Sequence, residues 1–298
     1  MPARSSIRIA ALVIVVLGVV LVLRNAQTTI AAKRRAATGV LGDSATVSTT
    51  VAHAGNAQRG LALLNNFRDS LPGHSGNALR CTSCHLDNGT RGLPWLGSAT
   101  KYPQYRARPG YSENMERRIN ECIARSLAGK MIPEAGRDMQ DMVAYMESLR
   151  DRPRPADPAQ VKLVGQVASG RDGYAGQCAR CHGVNGEGVK GLAPAVWGPE
   201  SYSVGAGMAR QFTLATFVRH AMPYDRATVL SDQQAADIAT FVLTQARQDH
   251  PGKERDWPNG DPPADVAYAT DSASRAGKPM PPARQLLPRR VSPDSLSK

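Results

Sequence analysis

The chain has 298 residues, of which 42% are hydrophobic and 21% charged, so it is neither disordered throughout nor a membrane protein with many spans. Lysine and arginine outnumber aspartate and glutamate by 37 to 25, and this net charge of +12 predicts an anionic partner or substrate. Aromatic residues make up only 5% of the chain, which is few for a core built from side chains alone and indicates that another group fills part of it.

The chain begins with a candidate export segment, residues 1–25. Two arginines precede fifteen apolar residues, from Ile9 to Leu23. Fifteen residues are fewer than the roughly 20 that a membrane-spanning helix needs, whereas no clean small-residue cleavage site follows them. We therefore expect either a signal sequence or a membrane anchor, followed by a tether at 26–53 in which apolar residues show no periodicity.

Two identical Cys-x-x-Cys-His frames are the most specific motifs in the chain. They are Cys81-Thr-Ser-Cys84-His85 and Cys178-Ala-Arg-Cys181-His182. In a c-type haem site, the two cysteine thiols add to the haem vinyl groups, and the adjacent histidine binds the iron. A zinc site or a redox pair is the alternative, but neither requires a histidine at the end of both frames. The sequence predicts two covalently bound haems c, with His85 and His182 as iron ligands.

Covalent haem attachment of this kind implies export, which agrees with the apolar N-terminal segment. We therefore expect the folded part of the chain to lie outside the cytoplasm, in the periplasm of a Gram-negative bacterium. The N-terminal segment would then be either a removed signal or an anchor in the inner membrane.

Proline-rich segments divide the rest of the chain. Three prolines within six residues cannot continue a helix, so 151–159 is predicted to be an extended linker. It separates a first haem domain, 54–150, from a second haem domain, 160–250. Residues 251–298 are rich in Pro, Ser and Gly and are expected to form an extended or disordered tail, or over 252–270 a strap across the folded domains.

The two haem domains form a diverged internal repeat. A helical apolar pattern, with an aromatic residue four positions after an aspartate, begins 56 residues after the first haem histidine and 55 after the second. The two stretches are Asp141–Met146 and Asp237–Val242. In small cytochromes c, such a C-terminal helix packs against the N-terminal helix that leads to the haem. We expect an all-α fold of two tandem class I cytochrome c domains, preceded by the anchor or signal segment.

The second domain contains three candidates for the sixth ligand of its iron: Met222, His220 and Met208. Met222 lies 40 residues after the haem histidine and precedes a proline, which is the loop setting in which small cytochromes c present their methionine. We favour Met222, with Met208 in the packing and His220 at the surface or beside the ligands. A His/Met haem has a raised potential, so the second domain is expected to pass electrons out of the protein.

The first domain offers two candidate ligands, Met131 and Cys122. Met131 precedes Ile-Pro and so parallels Met222, whereas Cys122 is the fifth and unpaired cysteine. A helix capped by Ser112 and ended by Gly129 would place Arg118, Cys122 and Ser126 on one face, with Arg125 close to it. From these residues alone, Cys122 is either a small buried side chain or a group that faces the iron.

Basic residues surround Cys122. Between residues 101 and 130 there are seven lysines and arginines against three glutamates. They could simply form a solvated face with helical ion pairs. Alternatively, they favour the thiolate form of Cys122, which binds metals and attacks sulfur, and they attract a small anion to it.

Several motifs of the chain resemble the dihaem thiosulfate dehydrogenases, also called tetrathionate reductases. These periplasmic enzymes are related to the cysteine-ligated haem subunit of the sulfur-oxidising complex. The resemblance covers about residues 54 to 270, and the arginine-flanked cysteine is its most specific element. It is carried by the first haem frame and by Pro94-Trp95-Leu96-Gly97, Tyr105-Arg-Ala-Arg-Pro-Gly110, Arg117-Arg-Ile-Asn-Glu-Cys-Ile-Ala-Arg-Ser126, Val196-Trp-Gly-Pro199 and Asp256-Trp-Pro-Asn-Gly260.

The resemblance implies that Cys122 is the thiolate ligand of the first haem, and that Arg108, Arg118 and Ser126 line the substrate site, with Lys130 a weaker match. The implied reaction joins two thiosulfates into tetrathionate, and the resemblance leaves its direction open. The second haem would pass the electrons to an external cytochrome or a high-potential redox protein. Some members carry an iron-binding lysine before the second-haem methionine, where this chain has Ala221.

Two other classes of protein are alternatives to a thiosulfate dehydrogenase. A dihaem electron carrier without enzymatic activity would use Met131 as the ligand and leave Cys122 as packing. A binder of nucleic acid or of a membrane surface would use the positive charge, but export and the concentration of arginines around one cysteine argue against nucleic acid.

Overall fold

The structure is a computed structural model and describes residues 54–276. The export segment, the tether and the end of the tail, at 1–25, 26–53 and 277–298, lie outside the described residues. Within 54–276, no helix combines the length and apolar character needed to cross a membrane. The α-helices are α1 Ala57–Asn65, α2 Phe67–Ser70, α3 Leu86–Gly89, α4 Met115–Arg125, α5 Arg137–Ser148, α6 Val167–Gln177, α7 Ala179–His182, α8 Gln211–Ala221, α9 Asp232–Thr244 and α10 Asp271–Arg275.

The fold is rich in helices but contains short strands that the all-α prediction did not include. The strands are β1 Arg91–Gly92, β2 Gln104–Arg106 and β3 Tyr111–Glu113. Strands β2 and β3 pair antiparallel, with Tyr105 opposite Ser112. Five 3₁₀ turns complete the described elements: Pro72–His74, Cys81–Ser83, Ser98–Lys101, Gly207–Ala209 and Lys253–Arg255.

The same pair of helices occurs in each half of the chain. Helix α1 packs against α5, and helix α6 packs against α9. In each pair the buried aspartate of the second helix caps the first: Asp141 accepts from the backbone N–H of Asn56 at 2.7 Å, and Asp237 accepts from that of Gln166 at 2.8 Å. Asn56 and Gln166 are the residues that immediately precede the two N-terminal helices, so the aspartates satisfy equivalent donors.

Glycines allow these helix pairs to approach closely. A Cβ placed at Gly60 would lie 1.9 Å from the backbone oxygen of Asp141, and one at Gly170 would lie 2.0 Å from that of Asp237. Since no side chain fits at such distances, these helices can cross this closely only with glycine at both positions. The repeat predicted from the aspartate and aromatic spacing therefore extends to the details of the packing.

A tryptophan occupies the same place in both domains. Trp95 stacks on His85 with ring centroids 4.6 Å apart and meets Tyr145 edge-on at 6.1 Å. In the second domain, Trp197 meets Phe241 edge-on at 5.7 Å. Tyr145 and Phe241 are the aromatic residues four positions after the helix aspartates, and edge-to-face contacts of this kind favour one fixed arrangement of the rings.

Helix α4 carries the candidate cysteine, and its start differs from the prediction. The N-cap is Asn114, whose side chain accepts from the N–H of Arg117 at 2.8 Å, and not Ser112, which lies in strand β3. The helix ends at Arg125, before Gly129. The N–H of Gly129 donates instead to the carbonyl of Ile123 at 3.0 Å. Asparagine and serine are comparable caps, and strand pairing decides between them here.

Residues 251–276 are packed against the two haem domains. Asp256, Trp257, Val266 and Tyr268 in this segment are all buried. We refer to residues 252–270 as the strap. The predicted linker, 151–159, contains no helix or strand, and the next helix begins at Val167.

Candidate active site

The first Cys-x-x-Cys-His frame lies on the wall of an apolar cavity of about 340 Å³. Cys81 and Cys84 form no disulfide, and burial raises the pKa of each thiol to about 12. His85 donates from Nδ1 to the carbonyl of Leu93, which leaves Nε2 as its metal-binding atom. Burial lowers the pKa of His85 to about 4, so its imidazole is neutral, as a metal ligand requires.

This cavity fits a haem by its chemistry. The thiols and the free imidazole nitrogen needed for attachment line it, and the hydroxyl of Tyr202 is buried in its wall with no hydrogen-bond partner among residues 54–276. The remaining wall is largely apolar and draws on both domains. The apolar lining includes Leu64, Leu79, Leu93, Pro94, Trp95, Met115, Ile119, Leu127, Met146 and Met208.

The second frame has the same local construction. His182 Nδ1 donates to the carbonyl of Pro194 at 2.8 Å, so its Nε2 is likewise the free ring nitrogen. Burial lowers the pKa of His182 and raises that of Cys178 to about 11. Cys181 forms no disulfide either. Both frames therefore present two thiols and one oriented, neutral imidazole.

The three candidate ligands of the second domain occupy different places. Met222 is the residue immediately after helix α8, and its half-buried side chain packs against the core. It remains the predicted ligand. Met208 lines the cavity of the first domain, which agrees with a packing role. The Nε2 atom of His220 lies 3.2 Å from the carbonyl of Ala159 in the linker, so this ring is engaged with the backbone.

A second cavity of about 340 Å³ adjoins the first and is lined by arginines. Four side chains belong to both cavities: Arg106, Arg118, Cys122 and Ser126. Three of these are spaced by four residues along α4 and its C-cap, which places them on one side of the helix. The other polar lining residues of the second cavity are Tyr105, Arg108, Glu113, Glu121, Arg125 and Arg210.

The second cavity brings together Cys122, Arg108, Arg118 and Ser126, whereas Lys130 and Met131 line neither cavity. Lys130 is exposed and lines neither cavity; its carbonyl accepts from His74 at 2.9 Å. Met131 is 41% exposed, and its sulfur lies 3.9 Å from Arg117. Both residues lie in the loop after α4, beyond the side of the helix that faces the cavities.

Arg125 is fully occupied by carboxylates. Its Nε donates to Glu121 at 2.6 Å, and its two terminal nitrogens bind both oxygens of Asp256 at 2.9 and 2.7 Å. The pKa of Arg125 is raised by these hydrogen bonds, against the opposing effect of burial. Since all three of its nitrogens are engaged, Arg125 has little capacity left for an external anion.

Arg108 is held by the strap. Its guanidinium carbon lies 4.9 Å from the ring centroid of Trp257, and Nη2 donates to the Tyr268 hydroxyl at 3.0 Å. Its Nε lies 3.2 Å from Asp256, near enough for an ion pair but without hydrogen-bond geometry. Burial lowers the pKa of Arg108 from its usual value.

Arg118 differs from both, because among residues 54–276 its side chain makes no hydrogen bond or ion pair to a carboxylate. Attraction to the Cys122 sulfur is the largest cause of the raised pKa of Arg118, and burial opposes it. Arg118 and Cys122 lie one turn apart on α4 and line the same two cavities, and no carboxylate among the described residues occupies the donors of Arg118. Such a group at the boundary of the two cavities can bind an anion that approaches Cys122.

Several residues at this site were not among the predicted ones. Asp256, Trp257 and Tyr268 come from the strap, and Arg210 comes from the second domain, where it pairs with Asp265 at 2.7 Å. Asp256 and Trp257 stand in one of the motifs that carry the resemblance, but nothing in the local sequence connects them with residues about 130 positions earlier.

Comparison with known families accounts for both domains. The model described as SoxA/TsdA, cytochrome c domain, matches residues 72–151. The model described as cytochrome C oxidase, cbb3-type, subunit III, matches residues 165–242. Two tandem cytochrome c domains with covalently bound haem c are therefore present, as the two frames predicted.

Curated relatives and a solved structure each match about two thirds of the chain. A thiosulfate dehydrogenase from Psychrobacter arcticus is 39% identical over an alignment of 224 positions, and the match covers 70% of this chain and 68% of the relative. One from Allochromatium vinosum is 35% identical over an alignment of 217 positions, and the match covers 63% of this chain and 77% of the relative. The as-isolated form of thiosulfate dehydrogenase TsdBA from Marichromatium purpuratum matches with a TM-score of 0.59 and 30% identity, over 66% of this chain and about half (47%) of that chain. The chain belongs to the thiosulfate dehydrogenase family of dihaem c-type cytochromes.

Proposed function

We propose that the chain oxidises two thiosulfate ions to one tetrathionate ion, with Cys122 as the reacting residue. The observation that supports this most directly is the position of Cys122 on the shared wall of the apolar cavity and the arginine-lined cavity. One side of the cysteine faces the space that fits a haem, and the other faces a space built to hold anions. A plain electron carrier has no use for the second space.

The ligand assignment follows from the same residues. We infer that His85 and Cys122 hold the first haem iron and that His182 and Met222 hold the second. When bound, each haem supplies an acceptor for one electron, so the pair takes up the two electrons that the reaction releases. Oriented imidazoles and a cysteine with an adjacent guanidinium are what the chain itself contributes.

Charge is the main obstacle to the reaction, and the arginines offset it. Two unit charges 4 Å apart repel by roughly 4 kcal/mol at an effective dielectric constant near 20, so two dianions repel by on the order of 16 kcal/mol. The second cavity contains five arginines against two glutamates in its lining. Arg118 has its donors available and Arg108 is fixed by the strap, which makes these two the receptors for the anions.

Cys122 supplies the covalent chemistry. Its thiolate forms a bond with the sulfane sulfur of the first thiosulfate, giving a cysteine S-thiosulfonate (Cys–S–S–SO3⁻) and releasing two electrons. The sulfane sulfur of a second thiosulfate then attacks the sulfane sulfur of this adduct. The new sulfur–sulfur bond completes tetrathionate, and the bond to Cys122 breaks to restore the thiolate. Arg118 stabilises the anion as it approaches and the thiolate as it leaves.

Electron exit, location and partner are part of the same proposal. The second domain passes the electrons to an external cytochrome or high-potential redox protein, because a His/Met haem has a raised potential. The chain acts in the periplasm, either free or anchored to the inner membrane through residues 1–25.

The reaction stoichiometry tests the proposed activity. Purified full-length holoprotein is mixed with thiosulfate and ferricyanide, a one-electron acceptor, and tetrathionate is quantified. We expect one tetrathionate for every two thiosulfates consumed and two ferricyanides reduced. Absence of tetrathionate from a protein that carries both haems would contradict the proposal and favour the electron carrier.

A further inference from the structure

The strap forms one wall of the arginine-lined cavity. Trp257 and Pro263 line that cavity, although they follow the second haem domain in the chain. The strap is joined to the first domain by hydrogen bonds from the N–H of Trp257 to the carbonyl of Arg108 at 2.7 Å and from Asn259 to the Tyr105 hydroxyl at 2.9 Å. A site on the first domain is therefore completed by residues from the other end of the folded chain.

Asp256 is the residue of the strap on which these contacts converge. It is 4% exposed and binds both terminal nitrogens of Arg125. The same carboxylate lies 3.2 Å from Nε of Arg108 and accepts from the hydroxyl of Tyr268. That hydroxyl in turn accepts from Arg108 Nη2 at 3.0 Å. One buried carboxylate thus contacts two arginines of the cavity directly, and one of them also through a phenol.

These contacts leave Arg108 few alternative positions. Trp257 covers one face of its guanidinium, and Asp256 and Tyr268 hold its edge. Without the carboxylate, the buried Arg108 and Arg125 would be neighbouring cations with less compensation and would move apart. The anion site therefore depends on a residue that lines neither cavity.

We propose that Asp256 is a positioning residue for anion binding: through direct contact and through Tyr268 it holds Arg108 where the guanidinium meets thiosulfate. This inference rests on the proposed function for the identity of the anion. On this proposal the strap contributes to substrate affinity. Arg125 has a structural role, because it pairs with the same carboxylate and balances its charge.

The test compares full-length holoproteins with Asp256→Asn and Tyr268→Phe. Steady-state oxidation of thiosulfate gives KM and kcat, and calorimetric titration with sulfate, an unreactive oxyanion, gives binding alone. We expect Asp256→Asn to raise KM and to weaken sulfate binding by about tenfold each, the size expected for a lost hydrogen bond to a charged group, with kcat within about threefold. Tyr268→Phe keeps the charge and loses the phenolic link, so we expect shifts of about threefold in the same direction.

Asp141→Asn is the matched control. Asp141 is a fully buried aspartate that pairs with Arg59 at 2.5 Å and lines neither cavity. We expect this variant to lower the melting temperature and leave KM and sulfate affinity unchanged. A purely structural Asp256 would behave in the same way, with a lower melting temperature and unchanged KM and sulfate affinity, and that result would overturn the inference.

The two readouts separate the inference from the proposed function. If the wild type binds sulfate but does not oxidise thiosulfate, the proposed function fails, and a loss of sulfate affinity in the variants still supports the positioning role. If the wild type binds no sulfate, the anion site itself is contradicted and the inference falls with it. If Asp256→Asn does not fold, an unchanged KM and sulfate affinity in Tyr268→Phe is sufficient to reject the inference.

Discussion

Replacing Arg118 with glutamine removes the guanidinium that lines both cavities one helical turn before Cys122. Among the described residues, Arg118 makes no ion pair to a carboxylate, and the Cys122 sulfur is the main cause of its raised pKa. The change therefore breaks no direct hydrogen bond or ion pair to a carboxylate, although it removes a positive charge that acts on buried Glu113. We expect Arg118→Gln to reduce catalytic efficiency while leaving the stability of the fold nearly unchanged.

The size of this effect follows from the type of contact that is lost. A hydrogen bond to a charged group contributes about 1.5–3 kcal/mol, and each 1.4 kcal/mol corresponds to about tenfold in rate or binding. Loss of one such contact to thiosulfate predicts a decrease of roughly 10- to 150-fold in kcat/KM. By contrast, loss of Arg125 would leave Glu121 without its ion-pair partner and Asp256 with Arg108 and Tyr268 alone, and breaking a buried ion pair in this way costs about 3–5 kcal/mol of stability.

Steady-state thiosulfate oxidation with ferricyanide as the acceptor measures the decrease, and thermal melting measures stability. Arg117→Gln is the control, because Arg117 is the neighbouring residue but is 42% exposed and pairs with Glu134 at 3.0 Å. We expect the control to change kcat/KM by less than about twofold, as for other exposed ion pairs. Equal kcat/KM values for Arg118→Gln and the wild type would refute the assignment of Arg118 as an anion receptor.

Further predictions concern the helix crossings and the haem ligands. Gly170→Ala should lower the free energy of unfolding by at least about 1–3 kcal/mol, because the new Cβ would lie 2.0 Å from a backbone oxygen. Gly176→Ala is the control in the same helix: its Cβ would meet nothing within 4 Å, so the free energy of unfolding should rise by about 0.5–1 kcal/mol. Chemical unfolding of both variants measures the two changes. Met131→Leu should leave both haem spectra unchanged because Met131 is 41% exposed, while Met222→Leu should change the spectrum of one haem; a changed spectrum in Met131→Leu alone would reverse the ligand assignment.

The parts of the fold with a periodic or motif signal could be predicted from the sequence. The two haem frames, the two domains and the helix pairs marked by Asp141 and Asp237 are of this kind, because each depends on short-range spacing. The cap of helix α4 was predicted at Ser112 and lies at Asn114, since the short pairing of β2 with β3 determines where the helix begins. Three-residue strands leave no periodic pattern that a sequence can show.

Residue spacing predicts only the part of the candidate site that one helix carries. The spacing of four residues places Arg118, Cys122 and Ser126 on one side of α4, whereas the substrate-site roles of Arg108, Arg118 and Ser126 were implied by the family resemblance. Asp256, Tyr268 and Arg210 reach the same region from distant parts of the chain. Their role depends on tertiary contacts across the strap and the second domain, which local sequence does not encode.

The most direct test of the proposed chemistry is reduction of the oxidised full-length protein by thiosulfate, followed at the haem absorption bands beside Cys122→Gly. Both proteins are first shown to carry two haems. We predict that thiosulfate reduces the wild type and not the variant, because Cys122 forms the bond that releases the electrons. Equal reduction of both proteins would remove Cys122 from the reaction and contradict the proposed mechanism.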